Sequence, residues 1–131
     1  MEGAFRKVLN AKIHGAVVTD ANLAYEGSIT IPEDLLQITG LLPNEAVWVW
    51  NVTTGARFET YILRGAAHSK EFHINGAAAH LATRGDTIII AGFTFLPLAE
   101  ARAHNPVAVF LSPDNSIKTI RDERPATFVA V

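Results

Sequence analysis

Hydrophobic and polar residues alternate in short runs along most of the chain, and turn-forming residues separate the runs. Between Gly55 and Leu63 the alternation has a period of two, which is typical of a strand with one buried face. Similar alternation, or a short β-branched run, predicts strands at residues 17–19, 29–31, 46–52, 57–63, 72–75, 87–91 and 107–111. Turn signals separate them at residues 43–45, 54–55, 85–86 and 113–115.

Helices are expected to be few and short. Pro32 suits the first turn of a helix that ends at Gly40. Residues 76–82 are expected to form a short helix or a turn, and residues 97–103 a second short helix. Many short strands with brief helices favour a closed β-barrel over a sandwich, while the pattern alone leaves the topology open.

Composition narrows the class of protein. A chain of 131 residues, 49% of them hydrophobic, is expected to be a single domain over residues 1–131 with one core. The net charge of −2 makes nucleic acid an improbable partner, and the lack of cysteines excludes disulfides and thiolate chemistry. No apolar run reaches the ~20 residues that span a bilayer, and no signal-peptide core follows residues 1–7, so a cytoplasmic protein without membrane contact is expected.

The five histidines give little sign of a metal site. None of them forms an i, i+4 pair or a cluster with carboxylates, which are the usual arrangements of ligands. We therefore expect no metal cofactor.

The Gly27–Ser28 bond is the first candidate for chemistry. Glycine lets the backbone bend into a strained approach that a Cβ would obstruct, and serine supplies a nucleophile. Taken alone, the dipeptide is more typical of an ordinary turn before a strand. The dipeptide becomes informative in the company of five short strings, one of which contains it. They are Lys12-Ile13-His14, Tyr25-Glu26-Gly27-Ser28, Trp50-Asn51-Val52-Thr53, Arg57-Phe58-Glu59-Thr60-Tyr61 and Asn75-Gly76-Ala77-Ala78-Ala79-His80.

Together these strings resemble the pyruvoyl-dependent aspartate 1-decarboxylases, in the family's order and from about Lys7 to about Ile117. The resemblance implies a six-stranded double-psi β-barrel, assembled as a homotetramer, that makes β-alanine from L-aspartate for pantothenate. Decarboxylation of an amino acid leaves a carbanion that needs an electron sink, which pyridoxal phosphate usually provides. In the family the sink is a pyruvoyl group made from the serine, here Ser28, after self-cleavage between Gly27 and Ser28. Neither pyridoxal phosphate nor a metal is then expected, and a maturation factor is conceivable.

The resemblance also implies roles for individual residues. Tyr61 would protonate the carbanion, since a phenol keeps its proton at neutral pH. Arg57 would hold a substrate carboxylate in its planar fork, and Lys12 would add a second positive charge. The backbone N–H groups of a small-residue turn would also bind substrate, and its residues are Gly76, Ala77 and Ala78. The supporting residues would be Asn75, Tyr25, His14 and Trp50.

Thr60 fits this scheme poorly. The family assigns the matching threonine to substrate contact and maturation, but a period of two sends Thr60 to the face opposite Arg57 and Tyr61. A bulge in the strand or a site at a subunit boundary would each resolve the conflict.

Two departures from the family bear on the substrate. Gly15 stands where the family commonly has an arginine, and residues 64–70 replace the usual acidic-basic-Gly-Ser loop. A paralogue acting on another acidic amino acid, or an unprocessed barrel without catalytic activity, therefore stays open as an alternative. The tail at residues 121–131 lies beyond the resemblance and is expected to be a partly ordered terminus, or else an arm that docks on a neighbouring subunit.

Overall fold

Residues 3–122 are described by a computed structural model, and they form a mainly β structure. The strands are β1 (Phe5–Val17), β2 (Asp20–Asn22), β3 (Ser28–Pro32), β4 (Ala46–Asn51), β5 (Arg57–Gly65), β6 (His73–Asn75), β7 (Thr87–Pro97), β8 (Val107–Leu111) and β9 (Ile117–Asp122). The helices are α1 (Glu33–Thr39), α2 (Leu98–Ala103) and a short 3-10 helix (Gly76–His80). The predicted mainly β class with short helices is confirmed.

The strands of these residues join in one sheet in the order β2-β6-β3-β5-β4-β7-β1-β8-β9. Three neighbouring pairs are parallel, namely β1 with β8, β2 with β6 and β3 with β5. The other neighbours are antiparallel. Strands that are distant in sequence are therefore neighbours in space, and the segment before the Gly27–Ser28 bond supplies β1 and β2.

Alternation along the strands builds one core. In β5 the side chains of Phe58 and Ile62 are buried, while Arg57 and Glu59 are exposed. The β-branched residues of the other strands complete the buried face, and the largest of them are Ile13, Ile29, Ile31, Ile74, Ile88, Ile90, Val47 and Val49. The sheet thus has an inner apolar face and an outer face that carries the polar side chains.

Several element bounds differ from the sequence prediction. The strand predicted at 17–19 overlaps β1 only at Val17, where β1 ends. The backbone N–H groups of Val18 and Thr19 donate to the carbonyl oxygens of Asp86 and Phe72. β1 itself was missed over most of its length, because two register shifts interrupt its alternation. β2 and β9 were missed as well, and β7 continues to Pro97 beyond its predicted end.

The predicted first helix is confirmed, with a shifted start. Pro32 closes β3 and occupies the N-cap position of α1, so it is not itself helical. Gly40 ends the helix at φ 76°, a left-handed conformation that glycine adopts without steric cost. No helix within residues 3–122 combines the length and apolarity needed to cross a membrane.

The predicted tail at 121–131 overlaps the end of β9. Arg121 pairs with Ala108 and Asp122 with Val107, so these two residues are part of the sheet. The remaining residues, 123–131, lie outside the described residues.

Candidate active site

A cleft of about 410 Å³ opens at the start of β3, where β3, β5 and β6 lie side by side. Its lining residues are Tyr25, Glu26, Ser28, Tyr61, Leu63 and Asn75. Four of these, namely Tyr25, Ser28, Tyr61 and Asn75, were predicted as site residues. The cleft therefore brings together residues that are up to 50 positions apart in the sequence.

Ser28 is held in place by a side-chain amide. It is 1% exposed, and its Oγ accepts a hydrogen bond from Asn75 Nδ2 at 3.0 Å. The same Nδ2 also donates to Thr30 Oγ1 at 3.2 Å. Antiparallel pairing of Ser28 with Asn75 sets this contact, and Thr30 joins it because alternation returns it to the same face of β3. The predicted nucleophile thus lies in a buried polar cluster.

Gly76 presses its backbone against the segment that precedes Ser28. A Cβ on Gly76 would lie 2.4 Å from the Gly27 nitrogen and 2.6 Å from both Gly27 Cα and the Tyr25 carbonyl oxygen. Gly76 also has φ 72°, which disfavours any other residue. The small-residue turn therefore has a steric role against the Gly27 backbone. Ala77 is exposed, while Ala78 packs against the core.

Tyr61 reaches the cleft from β5, and Thr60 does not line it. Residues 57–61 pair with residues 50–46 without a register shift, so β5 has no bulge in this pairing that would turn Thr60 toward Tyr61. The bulge offered as one explanation is thus wrong. Thr60 points to the inner face with Phe58 and Ile62.

The predicted cationic residues lie on the same outer face as Tyr61, but away from Ser28: Arg57 is at the far end of the neighbouring strand β5, and Lys12 is several strands away. Arg57 pairs with Trp50, Trp50 with Ile89, and Ile89 with His14, so these side chains form one row. In that row the Arg57 guanidinium carbon lies 5.0 Å from the centre of the Trp50 ring. Lys12 is on β1, four strands away from β3 in the order of the sheet.

Lys12 and His14 instead surround Phe110 of β8. The Lys12 Nζ lies 5.7 Å from the centre of the Phe110 ring, and the His14 ring centre lies 5.2 Å from it. Arg121 contacts the same ring at 4.4 Å. Within one chain, Lys12, His14, Trp50 and Arg57 are not among the residues that line the Ser28 cleft.

Comparison with known proteins identifies the family. The family model described as "Aspartate decarboxylase" matches residues 4–118. The chain belongs to this aspartate decarboxylase family. It is 53% identical over 121 residues to the aspartate 1-decarboxylase of Legionella pneumophila (strain Paris), covering 92% of this chain and 91% of that protein. It is 46% identical over 125 residues to that of Anoxybacillus flavithermus (strain DSM 21510 / WK1), covering 95% and 98%.

The structure accounts for glycine at position 15 in this member of the family. Gly15 lies in the second irregularity of β1, between His14 and Ala16, and has φ 89°. A Cβ there would lie 3.0 Å from the Leu111 carbonyl oxygen. The backbone of this chain thus favours glycine at position 15, independently of any contact with substrate.

The segment at 64–70, the other departure from the family, comprises the end of β5 and the loop after it, and it contacts α1. Arg64 Nε lies 3.1 Å from Glu33 Oε2, and the His68 backbone N–H donates to Asp34 Oδ1 at 2.8 Å. The His68 ring nitrogen Nδ1 is also 3.3 Å from Asp34 Oδ2. These contacts hold the segment against α1. None of residues 64–70 lines the cleft, although Leu63, which precedes them, does.

Sequence reasoning missed Thr30, Glu26 and Leu63 at this site. Thr30 had a usable signal, because it stands two residues after Ser28 on a predicted strand and must share its face.

Among residues 3–122, no group of three or more His, Cys, Asp or Glu side chains is placed to hold a metal ion.

Proposed function

We propose that this protein decarboxylates L-aspartate to β-alanine and carbon dioxide, for pantothenate biosynthesis, after cleaving itself between Gly27 and Ser28. The observation that carries the proposal is the position of Ser28, which is buried at the scissile bond, hydrogen-bonded to Asn75, and in one cleft with Tyr61. Membership of the aspartate decarboxylase family supports the reaction and the substrate.

Self-cleavage needs only Ser28 and its neighbours. The Ser28 Oγ attacks the Gly27 carbonyl carbon, and the C–O bond forms as the peptide C–N bond breaks, which leaves an ester and a free Ser28 amine. Loss of the Ser28 Cα proton then expels the Gly27 carboxylate from Cβ. Water replaces the nitrogen, which leaves as ammonia, and residue 28 becomes a pyruvoyl group at the start of the large fragment. The small fragment ends at Gly27.

The surroundings of residue 28 fit a carbonyl group at this position. Asn75 Nδ2 already donates to the side chain there, so a donor is in place for an oxygen. Ile29 pairs with Ile62 of β5 and Ile74 of β6, and these pairings would anchor the new end of β3. When present, the pyruvoyl carbonyl supplies the electron sink that decarboxylation requires.

Tyr61 and the small-residue turn act on the substrate in this proposal. Tyr61 donates its phenolic proton to the carbon that loses carbon dioxide, because its side chain lines the same cleft as Ser28 and a phenol can act as a general acid. The backbone N–H groups of Gly76, Ala77 and Ala78 follow Asn75 and bind a carboxylate of aspartate.

Arg57 and Lys12 would hold a carboxylate from a neighbouring subunit. Both lie on the outer face of the sheet, together with Trp50 and His14, yet outside the Ser28 cleft of their own chain. A homotetramer in which one subunit's outer face covers another's cleft would bring these groups together. Exposed Phe5, Tyr25 and Phe95, at 60%, 64% and 66%, support burial of this surface by association.

The barrel topology and the compartment belong to the same proposal. The mixture of parallel and antiparallel neighbours around one core supports a six-stranded double-psi β-barrel, with the remaining short strands as additions. We place the enzyme in the cytoplasm, where fractionation of cells would detect it.

Mass spectrometry on purified protein tests the proposal. We expect two fragments, residues 1–27 and residues 28–131, with the amino terminus of the large one blocked. Borohydride reduction with L-aspartate present is expected to attach the amino acid covalently to the large fragment. Carbon dioxide release should need no added pyridoxal phosphate or metal, and native mass should give four copies of each fragment.

Each alternative has its own outcome in this experiment. A full-length mass that persists after incubation with cell extract would favour an unprocessed homologue, whereas cleavage only with extract would reveal a maturation factor. Processed protein that releases carbon dioxide from another acidic amino acid but not from aspartate would indicate a paralogue. Fully active monomers would contradict the tetramer.

A further inference from the structure

Thr30 shares the Asn75 amide with the nucleophile. Asn75 Nδ2 carries two hydrogens, and it lies 3.0 Å from Ser28 Oγ and 3.2 Å from Thr30 Oγ1. Each hydroxyl can therefore accept one hydrogen from the same nitrogen. Because Asn75 is 8% exposed, water has little access to replace either acceptor.

We infer that Thr30 is a positioning residue for self-cleavage, which fixes the orientation of the Asn75 amide so that Nδ2 faces Ser28 Oγ. The inference rests on the self-cleavage proposed above and adds a residue to it. Thr30 forms no bond to the reacting atoms and gains or loses no proton. It acts only through Asn75.

The pairing of β3 with β6 explains how the Thr30 hydroxyl can orient the Asn75 amide. Asn75 pairs with Ser28, and Thr30, two residues further along β3, pairs with His73. The amide therefore lies between two hydroxyls on one face of the strand. Asn75 is also the N-cap residue of the 3-10 helix, but its side chain makes no capping hydrogen bond there. Its Nδ2 therefore donates to the two hydroxyls of β3.

Loss of the Thr30 hydroxyl has two consequences. One buried N–H of Asn75 loses its acceptor, which is unfavourable for a buried polar group. The amide can relieve this by turning over, and Ser28 then faces the Oδ1 oxygen in place of a donor. A donor to Ser28 Oγ stabilises the negative charge that develops there as its proton leaves, so the turned amide slows the attack on Gly27.

The test compares cleavage rates of freshly purified precursors by intact mass. Thr30→Val keeps the shape and removes the hydroxyl, and it is expected to slow cleavage about tenfold or more, the size of one lost hydrogen bond in the transition state. Thr30→Ser restores the hydroxyl without the methyl group and is expected to cleave within about twofold of the wild-type rate. Should Thr30→Val fail to fold, Thr30→Cys, with its poor acceptor, carries the same expectation of slow cleavage.

Ile31→Val is the matched control for packing in the same strand. Ile31 is fully buried on the opposite face of β3, so its truncation lowers the melting temperature and leaves the cleavage rate unchanged. Cleavage of Thr30→Val at the wild-type rate would overturn the inference. Slowing of Thr30→Ser by as much as Thr30→Val would overturn it too. A wild-type chain that never cleaves would instead overturn the proposed self-cleavage itself.

Discussion

Replacement of Ser28 with alanine is expected to leave one uncleaved chain that releases no carbon dioxide from L-aspartate. The substitution removes the oxygen that attacks Gly27, and it removes the source of the electron sink as well. Both losses are complete, so we expect no fragments by intact mass and activity at the detection limit. Asn75 keeps Thr30 as an acceptor, and the fold is therefore expected to lose only about 1 kcal/mol of stability.

Thermal unfolding of the alanine variant separates this result from simple misfolding. A melting temperature within several degrees of the wild-type precursor would show that the chemistry alone is lost. Carbon dioxide release by a well-folded Ser28→Ala protein would exclude Ser28 as the source of the sink. Cleavage of that protein at residue 27 would instead point to a protease.

Replacement of Tyr61 with phenylalanine is expected to lower kcat by ~10² or more while self-cleavage continues. The change removes the acid and keeps the ring, so the wall of the cleft and the binding of aspartate should be preserved. KM is therefore expected to change little. Steady-state carbon dioxide release from fully processed protein measures both constants.

The chain offers an internal control, since it has two tyrosines and both line the cleft. Tyr25 is 64% exposed on the segment before the scissile bond, and Tyr25→Phe is expected to reduce kcat far less than Tyr61→Phe. Equal losses in the two variants would indicate a general effect on the cleft. An unchanged kcat in Tyr61→Phe would remove Tyr61 from the proposed mechanism.

The sequence predicted the strands whose alternation is regular and missed those whose pattern is interrupted. β4 and β5 were found because more buried and less buried positions follow one another in them, and β8 was found because it is a short apolar run. β1 contains two register shifts, and every residue of β9 is exposed, so neither strand shows a clean period of two. Pairing with distant strands stabilises these segments, and such pairing has no local signature.

The structure brings together the predicted site residues that lie on β3, β5 and β6. Ser28, Tyr61 and Asn75 meet because parallel and antiparallel registers align them, and the resemblance already grouped them. Lys12 and Arg57 were grouped with them too, although strand order separates Lys12 from Ser28 within one chain. Register and strand order are set by tertiary pairing, so the sequence pattern could place a residue on a face but not beside a partner.

The position of β1 between two other strands of the sheet has a consequence for how the proposed enzyme is made. β1 lies between β7 and β8, and it belongs to the small fragment of the proposed cleavage, which would end at Gly27. After cleavage that fragment cannot leave without opening the sheet, so it stays as a separate but integral chain. Denatured precursor can rebuild the sheet alone, whereas denatured processed enzyme must first bring two different chains together. We therefore expect folding to precede the proposed cleavage.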